Sequence, residues 1–418
     1  MRRAEIIAVG SELLTPFRLD TNSLFLTEQL NRLGIAVIRK SVVGDDRNEL
    51  SEAFRRALER ADLVISSGGL GPTEDDLTRD ALAEALGRRL LPNERVLAGI
   101  RERFARLSRA MPPNNERQAM APEGALVLPN AYGTAPGLWL ELGARAVVLL
   151  PGPPQELQKI FIDHVRPLVE ARAGARRMIH RQLLVAGMPE SDLDHRIAPI
   201  YGPYREVETT ILASPGGIEI HLTAWSEDPA RSELLLDELS SRIATALGEA
   251  VFSTKGESLD EVVARRLQGA GATIAVAESC TGGLVSERLT SVPGSSLFFR
   301  GGVVSYSNQM KTAWVGVPEA LIERHGAVSA EVAVAMAEGV RRSSGATLGL
   351  GITGIAGPGG ATPAKSVGTV HIALTEASGA YERLLHFGGD RERIRRLAAQ
   401  SALDMVRRYL DGALTVRG

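Results

Sequence analysis

Between Ala277 and Lys311 the chain reads AESCTGGLVSERLTSVPGSSLFFRGGVVSYSNQMK, a stretch dense in groups able to act on an acyl or phosphoryl centre. Ser279 and Thr281 precede Gly282 and Gly283, then Ser295 and Ser296 follow Pro293-Gly294, and Tyr306 and Lys311 close the segment. A hydroxyl is a poor nucleophile until a base takes its proton, and no His or Asp here has triad-like context. Lysine can be that base if burial lowers its pKa.

These residues need elements to bring them together. The run Thr273–Val276 is apolar and β-branched and predicts a buried strand. A Gly-bearing turn and a helical pattern through Leu284, Val285, Arg288 and Leu289 follow it. That order aims backbone N–H groups and a positive helix end at an anionic ligand such as phosphate. A strand is expected over Val303–Tyr306, with Asn308 capping a short helix that carries Lys311. Ser and Gly crowd every loop, however, and capped helices with an early Lys are common. Spacing alone therefore leaves a purely structural reading open.

Residues 1 to about 170 alternate strand and helix patterns, which predicts a parallel, doubly wound sheet with ligands at the carboxyl ends of its strands. Expected strands are Glu5–Val9, Ile35–Val43, Leu63–Ser66, Ala125–Leu128 and Ala146–Leu150. Expected helices are Asn22–Leu33, Glu49–Arg60 and one from Glu74. Three Gly/Pro-rich turns, GGLGPTEDD (68–76), NAYGTAPG (130–137) and LPGPPQE (150–156), allow close backbone approach to a ligand. Asp75 and Asp76 could hold a divalent ion bridging phosphates, or could simply complement a helix dipole.

From 171 to 256 the order β-α-β-β-α-β is the split-βαβ signature of a small α+β domain. His195 and His221 within it read as structural residues, and the segment as a spacer that packs and contributes to a dimer interface. Residues 257–418 form the last α/β domain, in which Ser329 caps the helix Glu331–Arg342. Strands are expected there at Thr347–Ile352 and Val367–Leu374. Arg393, Arg395 and Arg396 read as solvated or paired, whereas Arg391 beside Gly388-Gly389 can approach a site.

With 418 residues, 48 basic against 50 acidic, the net charge of −2 gives no electrostatic case for nucleic acid or anionic membrane. No apolar run has the length of a membrane span. The start, Met1-Arg2-Arg3-Ala4-Glu5, lacks the apolar core of a signal peptide. One cysteine, Cys280, excludes an intramolecular disulfide framework, so the cytoplasm is the expected compartment.

AESCTGG, VPGSS, GGVVSYSNQMK, HGAVS, GITGIAGPGG, VGTVHIAL and FGGDRERIRR, in that order, resemble the C-terminal domain of the CinA (competence/damage-inducible protein A) family, over nearly all of Leu259–Leu410. The resemblance implies a CinA-type amidohydrolase that deamidates nicotinamide mononucleotide and needs no cofactor. It makes Ser296 the nucleophile, Lys311 its base and Tyr306 the supporting tyrosine. Ser279, Thr281, Gly282, Gly283, Thr353, Gly354 and Arg391 take substrate-binding or oxyanion-side positions.

GSELL, DTN, GDD, SSGGLGPTEDDLTRDAL, NAYGTAPG and LPGPPQE likewise resemble the N-terminal CinA domain, related to the MoaB/MogA fold. That implies metal-dependent ADP-ribose pyrophosphatase activity, with Mg²⁺ or a similar ion at Asp75 and Asp76. Glu12, Asp20, Asn22, Gly68, Gly69, Gly71, Thr73, Asn130, Gly133, Thr134, Gly137, Gly152 and Glu156 would bind phosphate or nucleotide. Pro16-Phe17-Arg18 departs from the usual Gly-containing turn and reshapes the loop between Glu12 and Asp20.

The expectation is thus a cytoplasmic, homodimeric enzyme of pyridine-nucleotide recycling with two hydrolytic sites, acting on small nucleotides rather than nucleic acid or membrane. The competing class is a nucleotide- or molybdopterin-binding regulator, tied to competence or DNA damage, with inactive sites. A third reading makes Cys280 the nucleophile.

Overall fold

The computed structural model describes residues 1–214 and 216–414. They form two compact units, the first within residues 1–179 and 224–233 and the second within residues 180–223 and 234–414.

The first part contains β1 (Arg3–Val9), α1 (Thr21–Arg32), β2 (Ala36–Val43), α2 (Arg47–Arg60), β3 (Leu63–Ser67) and α3 (Thr78–Ala85). It continues through β4 (Leu90–Pro92), α4 (Glu94–Arg106), β5 (Met120–Pro122), β6 (Leu126–Leu128), β7 (Gly137–Leu142), β8 (Arg145–Leu150), α5 (Pro154–Ile160) and α6 (Arg166–Glu170). The main sheet runs β2-β1-β3-β8-β7-β6. Its first four strands are parallel, but β7 meets both β8 and β6 antiparallel, so the sheet is mixed rather than wholly parallel. The cause is local. Only Gly143 and Ala144 separate β7 from β8, a length that makes a hairpin and not a crossover. Apolar clusters cover both faces, one around Leu26, Leu30 and Phe161, the other around Phe54, Leu82 and Leu138.

The helix expected from Glu74 begins instead at Thr78. Residues 74–77 belong to the loop, because Asp76 turns back to accept hydrogen bonds from the Gly71 and Thr73 amides at 2.7 and 2.8 Å.

The middle elements are β9 (Arg177–Val185), α7 (Glu190–Tyr201), β10 (Val207–Ser214), β11 (Gly217–Ser226), α8 (Pro229–Leu247) and β12 (Val251–Ser253), with strand order β10-β11-β9-β12. His221 takes part in a polar chain on one sheet face. His180 Nε2 lies 3.0 Å from His221 Nδ1, and Glu219 lies 3.1 Å from His221 Nε2.

The last part contains α9 (Leu259–Gly269), β13 (Ile274–Glu278), α10 (Leu284–Ser291), β14 (Phe299–Val304), α11 (Asn308–Val315), α12 (Glu319–His325) and α13 (Ala330–Ser344). It ends with β15 (Leu348–Gly354), β16 (Thr369–Glu376), β17 (Gly379–His386) and α14 (Arg391–Leu410). The sheet order is β14-β13-β15-β16-β17, parallel in its first three strands and antiparallel beyond. Middle and last elements share the second unit. Gln400 donates to the Gly216 carbonyl, and Arg407 Nη2 donates to that of Glu249 at 2.7 Å.

Helix α13 lies directly on β15, and the alternate glycines of LGLGITG allow this. A Cβ at Gly351 would strike the Ala333 carbonyl and stand 2.7 Å from the Ala337 amide. Backbone cannot swing aside as a side-chain tip can. Gly351→Val is therefore expected to destabilise the protein by about 3 kcal/mol, at the upper end of ordinary overpacking. Urea denaturation followed by circular dichroism measures it; an unchanged midpoint would mean that α13 has room to retreat.

Candidate functional site

The C-terminal site forms where β13, β14 and β15 end side by side. The five residues of β13 are buried, and Glu278, its last, is 0% exposed. The Glu278 carboxylate accepts from the amides of Gly283, Val285 and Ser286 at 2.9–3.1 Å and from Ser286 Oγ at 2.7 Å. The start of α10 was expected to face an anionic ligand. It faces an internal carboxylate instead, which satisfies the donors that a helix start leaves free.

Ser279 follows, nearly buried, its amide bonded to the Ile352 carbonyl of β15 at 2.9 Å. On the other side β14 ends at Val304, two residues earlier than the sequence pattern predicts. Ser307, not Asn308, caps α11 by accepting from the Met310 amide. The cap sets the first turn of α11 so that Lys311 points inward, where it is 1% exposed. Its Nζ lies 3.0 Å from Ser279 Oγ, 3.0 Å from the Ser305 carbonyl and 3.1 Å from the Tyr306 carbonyl.

This arrangement can hold a neutral amine. Two carbonyls accept its two hydrogens, and its lone pair is left for a group that can donate, which Ser279 can. Among the described residues Lys311 has no ion-pair partner, and burial holds its pKa below the ordinary lysine value. An amine in this state can take a proton from Ser279 Oγ.

Ser296 is elsewhere. It is exposed, in the turn that precedes β14, whereas Lys311 lies beyond the strand's other end. At about 3.3 Å per residue the strand alone separates them by roughly 16 Å. Among the described residues no hydrogen bond joins Ser296 to Lys311; the hydroxyl beside Lys311 Nζ is that of Ser279, because β13 and β14 run parallel and end together.

The other expected residues divide. Tyr306 contributes its carbonyl to Lys311, while its exposed phenol accepts from Arg391 Nη2 at 2.9 Å. Arg391 also donates to the Gly357 carbonyl at 2.7 Å, which fixes its charge at the rim. The Thr353 hydroxyl donates to the Ala327 carbonyl at 2.7 Å, so the proton expected to steady an oxyanion is already engaged. Gly354 serves packing, since a Cβ there would stand 2.7 Å from Val370. Thr281 Oγ1 is buried without a partner, and its carbonyl accepts from Arg395 Nη2 at 2.8 Å. Gly282 and Gly283 take positive φ of 62° and 93° to make the turn. Arg395 was expected to be solvated or paired; it reaches the site, one helical turn after Arg391 on the same face of α14, a spacing legible in the sequence. Cys280 is 4% exposed, and burial pushes its thiol up to about 12, which disfavours the thiolate a cysteine nucleophile needs.

The N-terminal site is a cleft of about 300 Å³ at the ends of β1, β3 and β8, lined by Glu12, Gly68, Gly69, Gly71, Asp75, Asp76, Thr134, Gly152 and Glu156. Asp45 and Gln118 line it as well and were not expected. Arg79, also unexpected, is 2% exposed and holds the glycine loop from behind through the Leu70 and Gly71 carbonyls at 2.8 and 2.9 Å; burial lowers its pKa to about 10.

Several residues expected to bind ligand brace this cleft. Asp20 caps α1 through the Ser23 amide. Asn22 Nδ2 ties Ser67 to the Gly152 carbonyl, both at 2.8 Å, leaving its buried Oδ1 without a partner. Asn130 holds Glu156 at 2.6 Å and accepts from the Gly133 amide. A Cβ at Gly137 would stand 2.9 Å from Ile160, so that glycine is a packing residue. Thr73 and Asp76 close the loop on each other. Asp75 stays exposed, with the Thr73 hydroxyl holding its carboxyl below the usual range.

The lining carries five carboxylates, Glu12, Asp45, Asp75, Asp76 and Glu156, and no Lys or Arg. Among the described residues no three His, Cys, Asp or Glu side chains converge as a metal cage. This donor set fits an ion such as Mg²⁺, which binds through one or two carboxylates together with substrate phosphates.

Fold and sites thus define an α/β chain with a buried Ser–Lys pair at one sheet and an acidic, glycine-rimmed cleft at another. Residues 256–410 match the CinA C-terminal domain, residues 180–253 the damage-inducible protein CinA KH domain, and residues 5–171 a family described as a probable molybdopterin binding domain. A CinA-like protein of Acidobacterium capsulatum is 51% identical over 97% of this chain and 99% of its own length. Another, of Solibacter usitatus, is 49% identical over 98% of each. The crystal structure of a CinA protein of unknown function from Thermoplasma acidophilum is 38% identical over 40% of this chain and 98% of its own, with a TM-score of 0.38. The chain belongs to the CinA family.

The segment matching the KH domain has glycines at 187, 202, 216, 217 and 248. None has the Gly-X-X-Gly spacing with which KH folds clamp a nucleic-acid backbone. Among the described residues no helix is long and apolar enough to cross a membrane.

Removing the internal cap should show its weight. Glu278→Leu leaves the buried Val285 amide and the part-buried Gly283 and Ser286 amides without an acceptor, at about 1–3 kcal/mol for each unsatisfied group. A loss of at least about 3 kcal/mol is expected by chemical denaturation. A smaller change would mean that water can replace the carboxylate.

Proposed function

We propose that this chain is a hydrolase of pyridine-nucleotide recycling. Its C-terminal site would convert nicotinamide mononucleotide to nicotinic acid mononucleotide and ammonia, and its N-terminal site would cleave ADP-ribose between its phosphates. The observation that carries the first activity is the uncompensated Lys311 amine 3.0 Å from Ser279 Oγ.

In this reading Ser279 Oγ attacks the carboxamide carbon and its proton passes to Lys311. The tetrahedral intermediate collapses as Lys311 returns that proton to the leaving nitrogen, and ammonia departs. Water, deprotonated by the same amine, then hydrolyses the acyl-serine ester. Arg391 and Arg395, anchored beside the dyad, supply positive charge for the mononucleotide phosphate. No metal is needed for these steps.

Support for the second activity is the acidic cleft. Clustered carboxylates repel a diphosphate unless a divalent ion enters with it; Asp75, with Asp76 beside it, would hold that ion, which would offset phosphate charge. The protein's own part is to position the diphosphate against the glycine loop that Arg79 holds rigid. The chain would act as a cytoplasmic homodimer, with no nucleic-acid partner.

Ammonia release from nicotinamide mononucleotide tests the dyad. Ser279→Ala and Lys311→Ala are each expected to lower kcat by at least about 10³-fold, given the usual weight of a nucleophile and its base. Lys311→Arg should fail too, because guanidinium stays protonated. Ser296→Ala should keep most activity; if it alone abolishes turnover in folded protein, the nucleophile is Ser296 and a rearranged or shared site is required.

The pH profile has a definite sign. Only neutral Lys311 accepts the proton and its pKa is depressed, so kcat should rise with pH and level off above that lowered value, at lower pH than an exposed lysine would allow. A kcat that falls as pH rises toward the ordinary lysine range would remove Lys311 as the base.

The two chemistries should separate. Asp75→Ala or a chelator should impair ADP-ribose hydrolysis and leave ammonia release unchanged, with Ser279→Ala doing the reverse. Loss of both activities to chelator would mean one shared or strongly coupled site. Turnover of neither substrate by the wild-type chain would favour a binding protein.

A further inference from the structure

Beside the acidic cleft lies a larger groove of opposite character, about 800 Å³, between α4 and the residues from Ala125 to Pro136. Its lining holds Arg95, Arg103 and Arg106 and no acidic residue. Among the described residues Arg95 and Arg106 have no ion-pair partner. Arg103 is fixed, donating to the Ala131 and Tyr132 carbonyls at 3.0 and 2.6 Å. Val96, Ile100 and Leu126 supply apolar surface. Thr134 lines both hollows, and Asn130 of the same loop is bonded to Glu156 of the cleft at 2.6 Å.

We propose that this groove is the binding site for the nucleoside monophosphate half of a dinucleotide whose diphosphate enters the acidic cleft. This inference rests on the pyrophosphatase reading. The groove falls within the size range of small-ligand sites, and its composition, apolar walls with a few convergent charges, is what a nucleotide needs. A base lies flat against the aliphatic side chains, and guanidinium planes stack on it or fork a phosphate. The charge contrast sets the ligand's orientation. The metal-loaded diphosphate goes to the carboxylates and the remaining nucleotide to the arginines, meeting at Thr134.

Gly99 makes the inference testable without damaging the fold. It lies inside α4 and lines the groove, and a Cβ built on it meets nothing within 4 Å. Leucine there has the better helix propensity and projects into the groove. Titration of AMP and ribose 5-phosphate, each with Mg²⁺, into wild type, Gly99→Leu and Arg106→Ala provides the test. Wild type should bind AMP more tightly than ribose 5-phosphate. Gly99→Leu should weaken AMP at least tenfold and change ribose 5-phosphate less than twofold. Arg106→Ala should weaken AMP severalfold, with the loss shrinking at high salt. Unchanged AMP binding by a Gly99→Leu protein of wild-type circular dichroism overturns the proposal, as does equal weakening of both ligands. The groove and the pyrophosphatase reading fail separately. If ADP-ribose is hydrolysed with unaltered KM by Gly99→Leu, the groove assignment falls and the activity stands. If wild type never hydrolyses ADP-ribose but loses AMP on Gly99→Leu, the activity falls and the groove stands.

Discussion

A buried amine without a counter-ion is the constraint on which the C-terminal half of this protein depends. Lys311 is 1% exposed, and the neighbouring carboxylate, Glu278, is fully committed to the start of α10. Lys311 is left with two carbonyls and Ser279 as its partners. Each pKa unit of depression corresponds to about 1.4 kcal/mol of disfavour for the ammonium. The packing that excludes water is thus also what lowers the pKa of this lysine.

The same device recurs in the N-terminal half. The loop GGLGPTEDD has the glycines and helix start of an anion seat, yet Asp76 folds back to accept the Gly71 and Thr73 amides. Arg79 braces the loop from the other side. Both loops are therefore rigid before any ligand arrives, each tied down by its own carboxylate. Rigid loops lose little entropy on binding, but they also leave the phosphates to other groups. At the C-terminal site the cations nearest the turn are Arg391, bonded to the Gly357 carbonyl, and Arg395, bonded to that of Thr281. At the N-terminal cleft, with carboxylates alone on the walls, charge compensation has to come with the ligand.

Much of the fold was legible in the sequence because period and punctuation agreed. The middle domain's six elements follow the expected β-α-β-β-α-β order. The apolar stripe of α13 and its Ser329 cap are also where the pattern places them, and the cap reads locally as a Ser before a run of helix formers. Strand direction beyond β8, the start of α3 and the limits of β14 were not legible. Hairpin closure decides the first, and a carboxylate reaching back five residues decides the second.

The residue types of the site were likewise written in the chain, and their partnership was not. Sequence by itself determined that hydroxyls, a tyrosine, a lysine and arginines gather around Gly-bearing turns. It also determined that paired aspartates follow a glycine loop. Tertiary structure decided that Lys311 meets Ser279, since parallel β13 and β14 bring their carboxyl ends together and leave Ser296 at the amino end of β14. It decided that Glu278 and Asp76 cap backbone amides rather than meet a ligand, and that Arg95, Arg103 and Arg106 share one groove with no acid among them. Each of these outcomes is a choice of hydrogen-bond partner between residues that many sequence positions separate. Local propensity carries no information about such a choice, and only the packed arrangement of strands and helices fixes it.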